Sequence, residues 1–592
     1  MGFLRRLEHR IQMHRSHQTH ELPKEKQART ALAESLGFSD LDAFEDEYTR
    51  HKEKVRKLAQ SLIPGQDSSS KSVFQKACND LAEGHSLQSA AEQLQGSIQQ
   101  ASLDEIKALL KRLSKKADSP LGAVTQEKLP LLGPTLLEEA TNSSDAISAL
   151  HFLVELFERL GGPWLYGQWL LDEEPIRRRL INLFAKSPTL SEALINHPEN
   201  LETLFSSHRT IDPTIIRDRH RALSENYNSA EQQEDAIANL RKLKREHMLG
   251  IGLMYVGGDA ELEKTSELLS ILADEQIKAA TWMAMKSLGK PTTNLALPAV
   301  VGLGKLGAGE LGFSSDLDIF FIYDSDALSE TQKEYAQDSY TKIAQRCLSI
   351  LSQPHEQGAA YQVDTRLRPS GRHGLLVVSL AAFDRYHEEH AEAWERQSLI
   401  RARPISASES LKQALDKRFA HLAYEHQAPE AHKLAHLRAR MQKELASETA
   451  HKVNPKYGYG GLVDIEFLVQ WLQMRHGSDS NVRTPHTLSA LRKLSEAGYF
   501  PKNQAKMLEH CYSWFRSIEQ SLHLMKPYGQ LFISRDDPTL SKLAASLRVR
   551  ARDAMSVEEA FFATYKQNAE FCRSMFEEYL CKVDAAAPWS EQ

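Results

Sequence analysis

The sequence predicts a mostly α-helical protein in which one small α+β domain sits between long helical bundles. Two observations carry this. Apolar residues recur at helical spacing through most of the 592 residues. Short apolar runs bounded by turn residues, the mark of buried strands, are confined to about 296–385. The length exceeds what one compact core needs, so about three or four domains are expected. They divide as 1–117, 118–250, 251–430 (the α+β part) and 431–592.

Composition excludes several classes. With 41% hydrophobic and 26% charged residues and a net charge of −6, the chain has no overall pull toward nucleic acid or an anionic membrane. No apolar run approaches the length of a membrane span. Arg5 and Arg6 precede no apolar core, so no signal peptide is read there. Five scattered cysteines suit reduced thiols, and a cytoplasmic location is expected.

In chain order, residues 3–20 have a helical pattern. His9, His14, His17 and His20 lie in it without a Cys or carboxylate set to complete a zinc site. A helix is expected from Gln27 through Leu62, then a linker at Pro64–Ser70. Helices resume from Val73 to Lys116, and Asp118–Pro134, with three prolines and two glycines, reads as loose chain. Helical spacing returns from Leu136 to Ser206, and long helices span 226–290. After the strand region, helices are expected over 385–450 and from Gly461 onward. His387 and His390 are three apart rather than four, so they do not form a zinc-protease helix, and a solvated face is expected.

Residues 299–323 are the centre of the strand region. Two apolar runs, ending at Gly302 and starting at Ile319, enclose a turn rich in glycine, then Ser314, Ser315 and the pair Asp316-Leu317-Asp318. Period two puts both carboxylates on one strand face. Such a pair repels unless a cation sits between them, and a divalent metal bridging a polyphosphate fits. Gly302–Gly307 satisfies the dinucleotide fingerprint, but Gly309 and Gly312 interrupt the long helix which that fold requires. A second stretch, 361–368, read as a strand, places Asp364, Arg366 and Arg368 on one face: a third acid for the metal and two guanidinium groups for phosphate. A third, Tyr457–Trp471, is a glycine-rich turn feeding a helix with Asp464 and Glu466 in its first turns. These acids read equally as helix-dipole charges or as groups beside the metal's ligands.

These three stretches, Gly302–Asp318, Val363–Val377 and Gly460–Phe467, together with Ala393–Gln397 and Arg401–Pro404, resemble the glutamine synthetase adenylyltransferase family. That family lies in the DNA polymerase β-like nucleotidyltransferase superfamily. Its full-length members carry two nucleotidyltransferase halves, one adding AMP and one removing it. Here one motif set is present. Phe3–Gln12 and Gln18–Pro23 resemble the tail of the removing half, so the chain beyond Pro23 resembles the adding half.

The resemblance implies AMP transfer from ATP to a tyrosine of glutamine synthetase, releasing pyrophosphate. Asp316, Asp318 and Asp364 would hold Mg²⁺ or Mn²⁺, with Asp364 as base. Gly304, Lys305, Gly307, Ser314, Ser315, Arg366 and Arg368 would bind the nucleotide, and Asp464 and Glu466 would stand behind the metal ligands. Expected partners are glutamine synthetase and a PII-type signalling protein, with no nucleic acid and no membrane. The alternatives are phosphorolytic removal of AMP, a polynucleotide-type nucleotidyltransferase, and a silent regulatory scaffold.

Overall fold

The computed structural model describes residues 26–62 except 37 and 39, and 73–581 except 83–86, 99–101, 161–162, 202–210, 228–232, 289–294, 354–360, 427, 527–530 and 552–554. The histidines at 9–20, the N-terminal helix and the linker at 64–70 lie outside the described residues. The chain divides into two compact units, 1–72 and 73–592.

In the first unit, α1 (Lys26–Ser35) and α2 (Leu41–Leu62) replace the single helix expected there. Asp40 accepts a hydrogen bond from the Ala43 amide at 2.7 Å, so it caps α2 and favours a new helix start. Leu32, Ala33 and Phe44 form a small core.

The second unit is also largely helical. Helices from Val73 to Asn196 bury one apolar core. The stretch expected to be loose contains the helix Ala123–Lys128 and the start of Leu132–Thr141. Two long helices follow, α3 (Gln233–Gly257) and α4 (Leu262–Ser287), as the spacing over 226–290 predicts.

The sheet comes next. Strand β1 (Ala299–Gly302) leads into the one-turn helix α5 (Gly304–Ala308), and β2 (Leu317–Tyr323) returns antiparallel beside it. Helix α6 (Glu330–Ser352) then crosses over, so β3 (Val363–Asp364) and β4 (Val377–Ser379) both lie parallel to β2 along one edge. Strand β5 (Arg403–Ser406) pairs antiparallel with the far side of β1. Two expectations change here. β5 lies beyond the region to which strands were confined, as does a separate two-stranded ladder of Lys452–Val453 with Ile533–Ser534; β5 is only four residues long and carries Pro404, which an edge strand tolerates. The 361–368 stretch is a strand only at Val363 and Asp364, after which the chain turns. A third change concerns His387, which is buried against Phe383 at 4.4 Å between ring centroids, not solvated; burial lowers its pKa to about 4.

Alternation along β2 assigns its two faces. Leu317, Ile319, Phe321 and Tyr323 pack into a core with α4 and α6. Phe320 and Ile322 pack on the other side, against Phe383, Leu411, Leu415 and Phe419. Asp318 shares the Phe320 side by parity, at the start of the strand. C-terminal to the sheet, α7 (Leu462–Arg475), α8 (Lys502–Met525) and α9 (Val557–Leu580) build a further bundle core.

Two glycines fix the turn after β1. Gly309 ends α5 with φ +74°, a left-handed cap that favours glycine. A Cβ at Gly307 would overlap the Arg401 carbonyl oxygen, so the turn rests directly on the backbone that leads into β5. Gly309→Ala should cost about 1 kcal/mol through conformation alone. Gly307→Ala should cost more, because two backbones must separate. Urea unfolding of the two variants measures the difference.

Candidate active site

The site forms where the glycine turn, the start of β2 and the end of β3 meet. The parallel register sets Asp318 directly opposite Asp364, and Asp316 sits exposed two residues before Asp318. Gly304, at φ +53°, lies so close that a Cβ would stand 2.6 Å from Asp318 Oδ2. The carboxylate therefore rests against turn backbone, which requires glycine there. Asp318 and Asp364 are thus neighbours across two strands, while Asp316 precedes β2 and is near enough to act on their charge.

Their charges are unbalanced in an informative way. The Asp318 carboxyl is pushed up to about 6, first by burial and then by the Asp364 and Asp316 carboxylates, with Lys456 and Lys305 opposing. Asp316 is raised for the same reasons, burial first and Asp364 after it. Asp364 is lowered, because Arg366 hydrogen-bonds to it. The Arg366 Nε donates to Asp364 Oδ2 at 2.6 Å, its Nη2 joins the same oxygen, and its amide donates to Oδ1 at 2.8 Å. Asp364 is thus turned onto Arg366. Among the described residues, no group of three or more His, Cys, Asp or Glu converges as a metal cage would. The donor chemistry of the three acids nonetheless suits a hard divalent cation, and their mutual repulsion is what such an ion would relieve.

The other expected residues divide. Lys305, in α5, is mostly buried and ion-paired with Glu519 of α8; burial lowers its pKa to about 8 against the pull of Glu519. Ser315 Oγ accepts from the Gly312 amide at 2.9 Å and shapes the turn. Ser314 stands half-buried beside it. Arg368 does not share a face with Asp364. Its guanidinium binds the carbonyls of Thr365, Gly374 and Arg372 at 2.8, 3.1 and 3.2 Å, holding the turn together.

Asp464 and Glu466 also separate, since residues two apart on a helix point to nearly opposite sides. Asp464 is fully buried and faces Arg438 and Arg573, with Oδ2 accepting from the Gly460 amide at 2.9 Å. Its contact with Arg438 is a charge pair rather than a well-angled hydrogen bond. Burial still raises its pKa. Its partners are structural, away from the three acids. Glu466 faces inward instead and meets Arg401 Nη1 at 3.4 Å and the Tyr512 hydroxyl at 3.4 Å.

Three groups near the site were missed from the sequence. Lys456, in the turn before α7, lies near enough to lower both Asp316 and Asp318. Burial lowers its own pKa, but Tyr457, Glu519 and Glu466 outweigh this and hold it up. Glu519 draws together Lys305, Arg516 and Lys456, and these cations keep it ionised despite burial. Glu310 accepts from the Thr487 amide at 2.7 Å and the Tyr512 hydroxyl at 2.9 Å, with Arg401 at 3.7 Å. The one sequence signal was Tyr457–Gly461, whose compact turn brings Lys456 inward.

Comparison with known proteins places the chain among similar sequences. Residues 177–418 match the family model for glutamate-ammonia ligase adenylyltransferase, and residues 1–63 and 430–580 match that for the GlnD PII-uridylyltransferase. The chain is similar to the bifunctional glutamine synthetase adenylyltransferase/adenylyl-removing enzymes of Pseudomonas syringae pv. tomato (30% identity, 89% of this chain, 58% of the relative), Thioalkalivibrio sulfidiphilus (29%, 88% and 57%) and Chromobacterium violaceum (28%, 98% and 61%). It thus spans little more than half the length of these relatives.

Because Asp464 neutralises a fully buried Arg438, Asp464→Asn should destabilise the protein by about 3–5 kcal/mol, as removing one partner of a buried pair does. Denaturant unfolding against wild type checks this. A loss below about 1 kcal/mol would mean that the pair does not hold α7 in place.

Proposed function

From its kinship with the glutamine synthetase adenylyltransferases, we propose that this chain is a nucleotidyltransferase moving AMP from ATP to a tyrosine hydroxyl of glutamine synthetase, with release of pyrophosphate. The observation that carries the reading is the register of β2 and β3, which sets Asp318 against Asp364 beside a glycine turn. The motif set containing these acids lies within the stretch matched by the adenylyltransferase model. The domain is read as polymerase β-like from the same motifs. Addition is favoured over removal because Phe3–Gln12 and Gln18–Pro23 resemble the tail of the removing half, after which the adding half follows. Regulation by a PII-type protein is proposed from the resemblance.

Asp316, Asp318 and Asp364 are the residues that would hold Mg²⁺ or Mn²⁺, and the ion would supply charge neutralisation on phosphate and a more acidic phenol. The chain's own groups do the rest. The backbone of Gly304–Gly307 allows close approach of phosphate oxygens. Lys305 and Lys456, both gathered by Glu519, would neutralise charge on the leaving pyrophosphate. Arg366, largely exposed, leaves Asp364 for the triphosphate. That move frees the Asp364 carboxylate to take the phenol proton, so nucleotide binding and base activation are linked.

The test is incorporation of labelled AMP from ATP into unmodified glutamine synthetase with Mg²⁺. Asp318→Asn should fold normally and lose at least about 10²-fold in rate, roughly 3 kcal/mol of transition-state stabilisation. Release of ADP from adenylylated glutamine synthetase and phosphate, without any labelling, would assign the removing reaction instead. No reaction in either direction would leave a binding scaffold.

A further inference from the structure

Five arginines of the second unit are less than a tenth exposed: Arg177, Arg241, Arg401, Arg438 and Arg516. Four of them meet a carboxylate, respectively Glu139, Glu310 with Glu466, Asp464, and Glu519, leaving out Arg241. Arg241, on α3, is 3% exposed and has no carboxylate partner among the described residues. Its Nη2 donates to the Ile350 and Gln353 carbonyls at 3.1 and 2.8 Å, at the C-terminal end of α6. The negative helix end compensates part of the charge. Nε and Nη1 are buried with no hydrogen-bond partner among the described residues.

A second cation stands on the same face. Lys244 is half-buried, three residues on, with Nζ 3.8 Å from the centroid of the Tyr361 ring. No carboxylate pairs with it among the described residues. Burial, and after it Arg241, lowers the Lys244 ammonium to about 7. Two adjacent cations that meet carbonyls and an aromatic face but no carboxylate among the described residues depart from the pairing that buried charges ordinarily find.

We propose that Arg241, Lys244 and the Tyr361 ring form a binding site for a small oxyanion, either inorganic phosphate or the phosphoryl end of a metabolite. Arg241 would supply the buried N–H donors, and Lys244, the more exposed of the two cations, its ammonium. The aromatic ring forms a floor that orients the ammonium. None of the three acids, nor the glycine turn, takes part, so the site does not depend on the reaction proposed above. The Tyr361 amide donates to the Leu351 carbonyl at 2.9 Å, and Tyr361 lies three residues before Asp364. An anion seated here therefore bears on the segment that enters β3.

Thermal unfolding of the full chain, titrated with inorganic phosphate at ionic strength held constant with chloride, tests this. Wild type should gain about 1 °C at phosphate tenfold above half-saturation, and the gain should go on rising with the logarithm of the phosphate concentration. Lys244→Met should melt higher than wild type without phosphate, because an unpaired buried charge is gone, and should lose the response. Lys242→Met, an exposed neighbour, should respond as wild type. Lys305→Met should keep the response too, which separates this site from phosphate bound at the acids. If Lys244→Met does not fold, Lys244→Gln takes its place with the same expectation. An unchanged phosphate response in the Lys244 variant, or none in wild type, overturns the proposal. ATP or a sugar phosphate producing the Lys244-dependent shift where phosphate alone does so only weakly would identify a metabolite as the occupant.

Discussion

The arrangement depends on a buried chain of charges that ties the glycine turn to α8. Arg516 pairs with Glu519 and also donates to the Glu310 carbonyl; Glu519 holds Lys305; Arg401 bridges Glu310 and Glu466. Every one of these groups is removed from water at a substantial cost, and each is compensated by an opposite charge or a directed hydrogen bond. Such a network gives little net stability compared with apolar packing. It gives one geometry, because a shift of any member leaves an uncompensated charge. The turn that approaches Asp318 is therefore positioned from behind by a helix some two hundred residues later in the chain.

That dependence explains what could be read from sequence and what could not. β1, β2 and the Asp316/Asp318 pair were legible because short apolar runs between glycines have few other readings. The pairing of Asp318 with Asp364 followed once both stretches were taken as strands. The extent of β3 was not legible: alternation over eight residues fits a strand, yet the chain turns after Asp364. Arg368 then satisfies the carbonyls of that turn instead of pointing to a ligand. β5 was too short to show any period. The solvated face assigned to His387 failed because one helix face can carry a charged neighbourhood and still bury a ring on Phe383.

Other residues had no sequence signal at all. Glu519 and Arg516 look like an ordinary helix pair at i, i+3, and only the tertiary structure places Lys305 above them. Lys456 is one lysine among many until the Asn454–Gly461 turn winds tightly, with the Asn454 side chain accepting from the Lys456 and Tyr457 amides at 3.0 Å each. The separation of Asp464 from Glu466 was available in advance, since helical period forbids two residues at that spacing from sharing a target.

The contact between Lys305 and Glu519 also bears on how the molecule can be shortened. An excised piece ending near the last sheet strand would retain all three acids and the glycine turn. It would lose Glu519, the counter-charge of Lys305, and the Thr487 and Tyr512 donors of Glu310, which would keep only Arg401, and it would lack Lys456 altogether. The α+β domain that holds the acids is thus not the smallest piece that keeps their surroundings intact. Such a piece must reach through α8, which carries Tyr512, Arg516 and Glu519.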